Sequence, residues 1–239
     1  MRISPAAHFA AAAALFASSC VFVVHDQDDG TSDWSFTSSS PEHRGSGAPA
    51  REERDTPEFT RLEAGGAIHV DVRIGTPRSV AVRGDDNLIG HVRTEVIDGA
   101  LRLSMRPGSY ETRTQILVEV VTPSLTGLVL DGAAKASVAE LAGGSLSVTA
   151  SGAADVALAG RVDTLRADLS GAAELQAFAL DAALVDVDLS GASEAEVAAR
   201  TELSADVRGA GKLRYRGDPE RLRTEATGAA RISASPSDA

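Results

Sequence analysis

The chain has 239 residues, 43% of them apolar but only 4% aromatic, so it can build a core from Ala, Val and Leu but not a large aromatic-lined pocket. Its formal net charge of −11 argues against the basic footprint of a nucleic-acid binder. A single cysteine, Cys20, excludes an intrachain disulfide.

In chain order, residues 1–19 have the parts of a secretory signal. Arg2 is the basic start, an alanine-rich apolar run extends through Ala17, and small residues precede Cys20. The run is too short for an ordinary transmembrane helix. Ala17-Ser18-Ser19-Cys20 resembles the bacterial lipobox, in which the cysteine becomes the lipidated first residue, although Ala17 stands where leucine is usual. Cleavage after Leu15-Phe16-Ala17, releasing a soluble protein, is the other exit. The position of the lone cysteine favours lipidation at Cys20, and Val21 after it resembles an outer-membrane address. The chain is therefore expected to be exported, as an outer-membrane-anchored lipoprotein or as a free periplasmic or extracellular protein. Residues 20–57, rich in Asp, Ser, Thr, Gly and Pro, read as a disordered tether.

Residues 58–123 read as an irregular β region. Ala67 to Val72, Ser79 to Val82, Val92 to Val96 and Ile116 to Val121 alternate apolar and polar residues. Asp98-Gly99 between alternating runs predicts a hairpin. An open solenoid end needs a cap, and this region is placed to supply one.

Residues 124–235 carry a repeat, and 236–239 a short tail. The phrase around Gly132 returns at Gly152, Gly171, Gly191, Gly209 and Gly228, with spacings of 20, 19, 20, 18 and 19 residues. Apolar residues stand two and four before nearly every glycine and four after it, with polar ones between, so each repeat holds two half-buried strands joined at a corner. Glycine suits that corner because it tolerates positive φ and close backbone approach. The alanine after each glycine, Ala133 to Ala229, is expected to point into the corner, where a larger side chain would overpack. The fold predicted is all-β: a right-handed parallel β-helix, or solenoid, of about 19-residue coils behind an irregular β region.

The tandem Ser-Gly-Ala phrases, Phe59-Thr60-Arg61-Leu62 with Gly65-Gly66-Ala67-Ile68-His69-Val70, and Gly84-Asp85-Asp86-Asn87-Leu88 together resemble the head GIN domain of putative auto-transporter adhesins. The resemblance covers roughly residues 59–234. It implies an exported bacterial β-helical protein, and it brings no catalytic residues.

The period also aligns outward columns. Asp168, Asp188, Asp206 and Glu225 hold the same outward position on four successive coils, so their Cβ atoms should stack about 5 Å apart. Like charges so placed repel, and Ca²⁺, which carboxylates favour, would relieve them. The bland alternative is a solvated acidic surface; otherwise no cofactor is expected. Ser151, Ser170 and Ser190 recur at the corners and fit hydrogen bonding there rather than nucleophilic catalysis. The histidines within the expected fold, His69 and His91, lack ligand spacing, and no phosphate loop, zinc motif or hydrolase elbow occurs. Three functions remain: a non-enzymatic surface module binding a glycan or protein, a self-assembling structural envelope protein, and a polysaccharide-acting enzyme. The third is disfavoured because the acidic column has no adjacent basic partner within its coils, although Arg166 and Arg208 are close in sequence.

Overall fold

A ladder of glycines organises the molecule. The computed structural model describes residues 40–236. The expected signal peptide, the lipidation site Cys20 and the tail beyond Pro236 lie outside the described residues. The compact unit begins at Glu42.

In chain order, β1 (His43–Arg44) and β2 (Pro49–Arg54) precede β3 (Arg61–Gly66) and β4 (His69–Ile74). Then come β5 (Ser79–Asp85), a short 3-10 turn (Ile89–His91), β6 (Val92–Ile97), β7 (Ala100–Met105), β8 (Tyr110–Glu111) and β9 (Leu117–Thr122). The regular coils use β10 (Gly127–Gly132), β11 (Lys135–Ala142), β12 (Ser145–Ala150) and three long strands that run from one face of the solenoid to the next, β13 (Asp155–Leu169), β14 (Glu174–Leu189) and β15 (Glu194–Gly209). β16 (Lys212–Arg216), β17 (Arg221–Gly228) and β18 (Arg231–Ala234) complete the fold. The described residues contain no α-helix.

Each coil gives the strand before its glycine to one face of the solenoid and the strand after it to another, and long strands such as β13, which pairs with both β11 and β12, join the faces into one continuous sheet. Coil-to-coil pairing is parallel and in register, for example Leu130 with Ala150 and Leu169 with Leu189. The inward alternation is as expected: Leu128, Leu130, Val148, Ala150, Val187 and Val207 are fully buried. Each buried Leu or Val stabilises the stack by about 1.5–3 kcal/mol.

Gly191 shows what the corner demands. Its φ is +78°, and a Cβ there would lie 2.7 Å from the carbonyl oxygen of Gly171 in the coil before. The next N–H, from Ala192, donates to that same oxygen at 2.7 Å. Positive φ and backbone contact thus act together. The ladder has a seventh member, Gly66, aligned with Gly132.

One expectation about the corner is corrected. Ala133, Ala153, Ala172, Ala192, Ala210 and Ala229 are exposed. The inward small residue is the next one along: Ala134, Ala154 and Ala173 are completely or almost completely buried, as is Ser193. A corner with positive φ turns the first side chain out and the second in. At the equivalent Gly211 a Cβ would meet Val207 at 2.9 Å, so this second position is the tight one.

Stacking order departs from chain order. β3 and β4 form a full coil, with β10 and β11 on one side and β7 and β9 on the other, all parallel. The expected irregular region thus contains true coils. Beyond them lie antiparallel strands: β6 on β7, β5 on β9, and β2 on β5. Asp98 and Gly99 both have positive φ and close the β6–β7 hairpin, as their sequence predicts.

Of the tether expected over residues 20–57, residues 20–39 lie outside the described residues; the end of the expectation is corrected, because β1 and β2 are strands. The segment is polar and buries little; side chains distant in sequence hold it instead. The Asp85 carboxylate accepts N–H bonds from Gly47 (2.9 Å), Arg113 (2.9 Å) and Thr114 (3.2 Å). Asn87 Oδ1 accepts the Ser46 N–H, and Asn87 Nδ2 donates to the Arg44 carbonyl. The Gly84-Asp85-Asp86-Asn87 motif therefore works as a staple for residues 44–47.

Candidate functional site

The acidic column stands where the period places it. Asp168 pairs in register with Asp188, Asp188 with Asp206, and Asp206 with Glu225. Burial, then Asp168, Asp186 and Asp206, push the Asp188 carboxyl above the ordinary carboxylate range. The column is not isolated from basic groups, contrary to expectation. Arg208 pairs with Asp206, and Arg166 bonds Asp186 in the neighbouring column at 2.7 Å. Among the described residues no group of three or more His, Cys, Asp or Glu side chains is placed to hold a metal ion. Stacked strands aim the four carboxylates in parallel, and parallel side chains do not converge on one point.

The corner serines bond locally. Ser151 Oγ donates to Asp131 Oδ1 at 2.7 Å, and Ser190 Oγ donates to the Leu169 carbonyl at 3.3 Å.

A concave feature lies on the face formed by the strands after each glycine, made by side-chain size. Five and seven residues after successive glycines the outward positions hold Asp71 and Arg73, then Ser137 and Ala139, then Ala157 and Ala159, then Gln176 and Phe178. Asp71 pairs with Ser137, Ser137 with Ala157, and Ala157 with Gln176. Two coils with small outward residues thus lie between two coils with large ones. The result is an open trough running along the strands. It comprises adjoining hollows of about 330 Å³ and 370 Å³ that share Ser137, Ala157 and Gln176. Three strand spacings separate its walls, about 14 Å.

One end of the trough is polar and carries both charges. His69, Lys135, Asp155 and Glu174 line it. Lys135 pairs with Asp155, which raises the Lys135 pKa. Burial, then Lys135, push the His69 pKa down against the pull of Asp71 and Asp155. The shift favours the neutral imidazole, which is both a donor and an acceptor. The other end is mostly apolar, with Leu158, Ala159 and Phe178, and carries Glu196 at its edge. The Arg216 guanidinium lies 4.2 Å from the centroid of the Phe178 ring, an arrangement that fixes the ring by cation–π attraction. Ser137 Oγ donates to Asp71 Oδ1 at 2.6 Å, which orients the hydroxyl. The trough can present hydrogen-bond donors, acceptors and an aromatic face to a narrow ligand.

Sequence reasoning missed the trough, although its signal was present in the run of small residues at equivalent outward positions. It also missed His43. The imidazole of His43 stacks on Tyr110 (4.9 Å between centroids) and packs against His91 (4.4 Å) at the cap. Burial, then His43 and Arg106, push the His91 pKa below its ordinary value. Among the described residues no helix is long and apolar enough to cross a membrane.

Comparisons with known proteins agree on one architecture. The model of the family described as "Putative auto-transporter adhesin, head GIN domain" matches residues 58–219. A putative adhesin from Bacteroides fragilis, 19% identical, superposes with a TM-score of 0.67 over 80% of this chain and 99% of its own. A putative lipid binding protein from Parabacteroides distasonis, also 19% identical, does so with a TM-score of 0.51 over 81% of this chain and 99% of its own. At such identities these likenesses show the fold alone. No curated protein matches the chain.

Proposed function

The chain belongs to the family of putative auto-transporter adhesin head GIN domains, and from that premise we propose that it is an exported, non-enzymatic envelope protein that binds a glycan or an extended protein segment in the trough. The observation that carries this reading is the pair of small-residue coils, Ser137-Ala139 and Ala157-Ala159, walled by Asp71, Arg73, Gln176 and Phe178. A slot about 14 Å wide by three strand spacings admits one chain laid along the strands and excludes a bulky globular surface. The polar end offers groups suited to hydroxyls or peptide amides, and the Phe178 ring offers an apolar face.

The full-length chain on a glycan and matrix-protein array tests this reading. The variant Ala157→Arg fills the trough from a partly exposed position. Binding that falls at least about tenfold with an unchanged circular dichroism spectrum supports the reading, since tenfold corresponds to about 1.4 kcal/mol of lost contact. Binding that survives the substitution contradicts it. Anchoring through a lipid on Cys20, at the outer membrane, belongs to the same proposal. Labelled palmitate recovered on the wild type but not on Cys20→Ala supports it; no label on either removes it.

A further inference from the structure

The two ends of the stack are finished differently. At the cap end the outermost strands are antiparallel, and the edge strand β2 carries Pro49 with Arg51, Glu52 and Glu53, residues that discourage further pairing. At the other end β17 pairs only with β15, and β18 only with β16. Every residue of β17 is exposed. Leu222 sits at an inward position, in register with the fully buried Leu203, yet is 46% exposed. Thr224 and Ala226 continue its inward row, and Ile232 of β18 is half-buried. Among the described residues nothing covers this last coil.

We propose that the open end docks onto the same end of a second copy, closing a two-fold symmetric dimer. A head-to-tail stack would set this parallel edge against the antiparallel, charged cap, so growth in that direction is blocked. A tail-to-tail contact uses one patch twice and closes. A two-fold axis perpendicular to the sheet makes β17 antiparallel to its copy. Directly opposed residues must share a face, so inward positions oppose inward ones. The registers that satisfy this are centred on a residue. Centring on Arg223 opposes guanidinium to guanidinium, and centring on Glu225 opposes carboxylate to carboxylate. Centring on Thr224 opposes Arg223 to Glu225 twice and Leu222 to Ala226 twice. Centring on Arg223 also sets Arg221 against Glu225, but of the three registers only the one centred on Thr224 opposes no like charges. The dimer covers Leu222 and gives the unpaired edge groups of β17 partners, as in β-strand addition.

Sedimentation equilibrium on the full-length chain tests the proposal. The wild type should show a monomer–dimer equilibrium. Arg223→Glu and Glu225→Arg, both at exposed positions, should each weaken dimerisation about tenfold, because each turns two attractive pairs into repulsive ones. The combined exchange R223E/E225R restores both pairs and should return the affinity to within about threefold of wild type. Circular dichroism confirms that the variants fold. A steady monomer at every soluble concentration, open polymers, single variants that dimerise like wild type, or a combined variant that stays weak would each overturn the proposal. The outcome is independent of trough binding, which uses other coils and is read on the array.

Discussion

Where β7 and β9 end the parallel stack, antiparallel β6, β5 and β2 cover them, and Asp85, Asp86 and Asn87 staple residues 44–47 over the top. Where β17 and β18 end it, no strand follows among the described residues. The cap is assembled from segments far apart in sequence: Val80, Val82 and Val92 join the core, and long-range hydrogen bonds hold the polar residues 44–47 over it. The open end continues the local repeat pattern without a neighbour to make that pattern useful. The same inward position is therefore core in one coil and surface in the next.

Truncating both members of that inward row sharpens the contrast most. Leu203→Ala removes a fully buried side chain and should cost about 2–5 kcal/mol in urea unfolding. Leu222→Ala, at low protein concentration, should cost less than about 1 kcal/mol, since much of its side chain is already in water. Equal costs would break the comparison.

The glycine ladder gives a second test. Gly191→Ala must relieve a contact with Gly171 and hold alanine at positive φ. It should cost about 2–4 kcal/mol, from left-handed strain and overpacking together. Gly66→Ala, at the cap-side start of the ladder, meets nothing within 4 Å. It should cost only about 1 kcal/mol, the conformational part. Thermal unfolding of both variants measures the difference.

The staple gives a pH-dependent test. Burial opposes ionisation of Asp85, but N–H bonds from Arg113, Thr114 and Gly47 hold its pKa below the ordinary value. A carboxylate depressed in the fold stabilises above its unfolded pKa of about 3.9, and that contribution is lost as pH falls through its lower folded value. Asp85→Asn should therefore be less stable than wild type at neutral pH, and the two should converge in acid. Proteolysis should release residues 42–47 first, while cleavage of the last coils stays unchanged.

The smallest effect is expected in the acidic column. The Asp188 pKa is raised, so its charge opposes folding at neutral pH, and that penalty disappears as pH falls through its folded pKa. Asp188→Asn should raise stability by a few tenths of a kcal/mol at pH 7. A loss of stability would mean that the column has a stabilising partner.

Features set by the repeat period were legible in the sequence, and features set by long-range insertion were not. Corner glycines, inward rows and the Asp168–Glu225 register follow from spacing, because stacked coils turn sequence period into spatial neighbourhood. The placing of β7 and β9 outside β3 and β4 does not follow, since no period marks a later segment that stacks on the far side of an earlier coil. The order of residues 43–54 was hidden for a similar reason: a polar segment is held by Asp85 and Asn87, distant in the chain. The exposed corner alanines were misread because positive φ moves the inward position one residue along. The trough's signal is side-chain size rather than charge: small Ser137, Ala139, Ala157 and Ala159 hold outward positions between the larger Asp71, Arg73, Gln176 and Phe178.

Hydrogen exchange, strand by strand and at two protein concentrations, tests the asymmetric finish most directly. At low concentration the amides of β17 and β18 should exchange far faster than those of β13, β14 and the cap strands β5 and β9. Raising the concentration should slow β17 selectively. Protection of β17 equal to β14 at low concentration, or a cap that exchanges as fast as the last coil, would contradict the account.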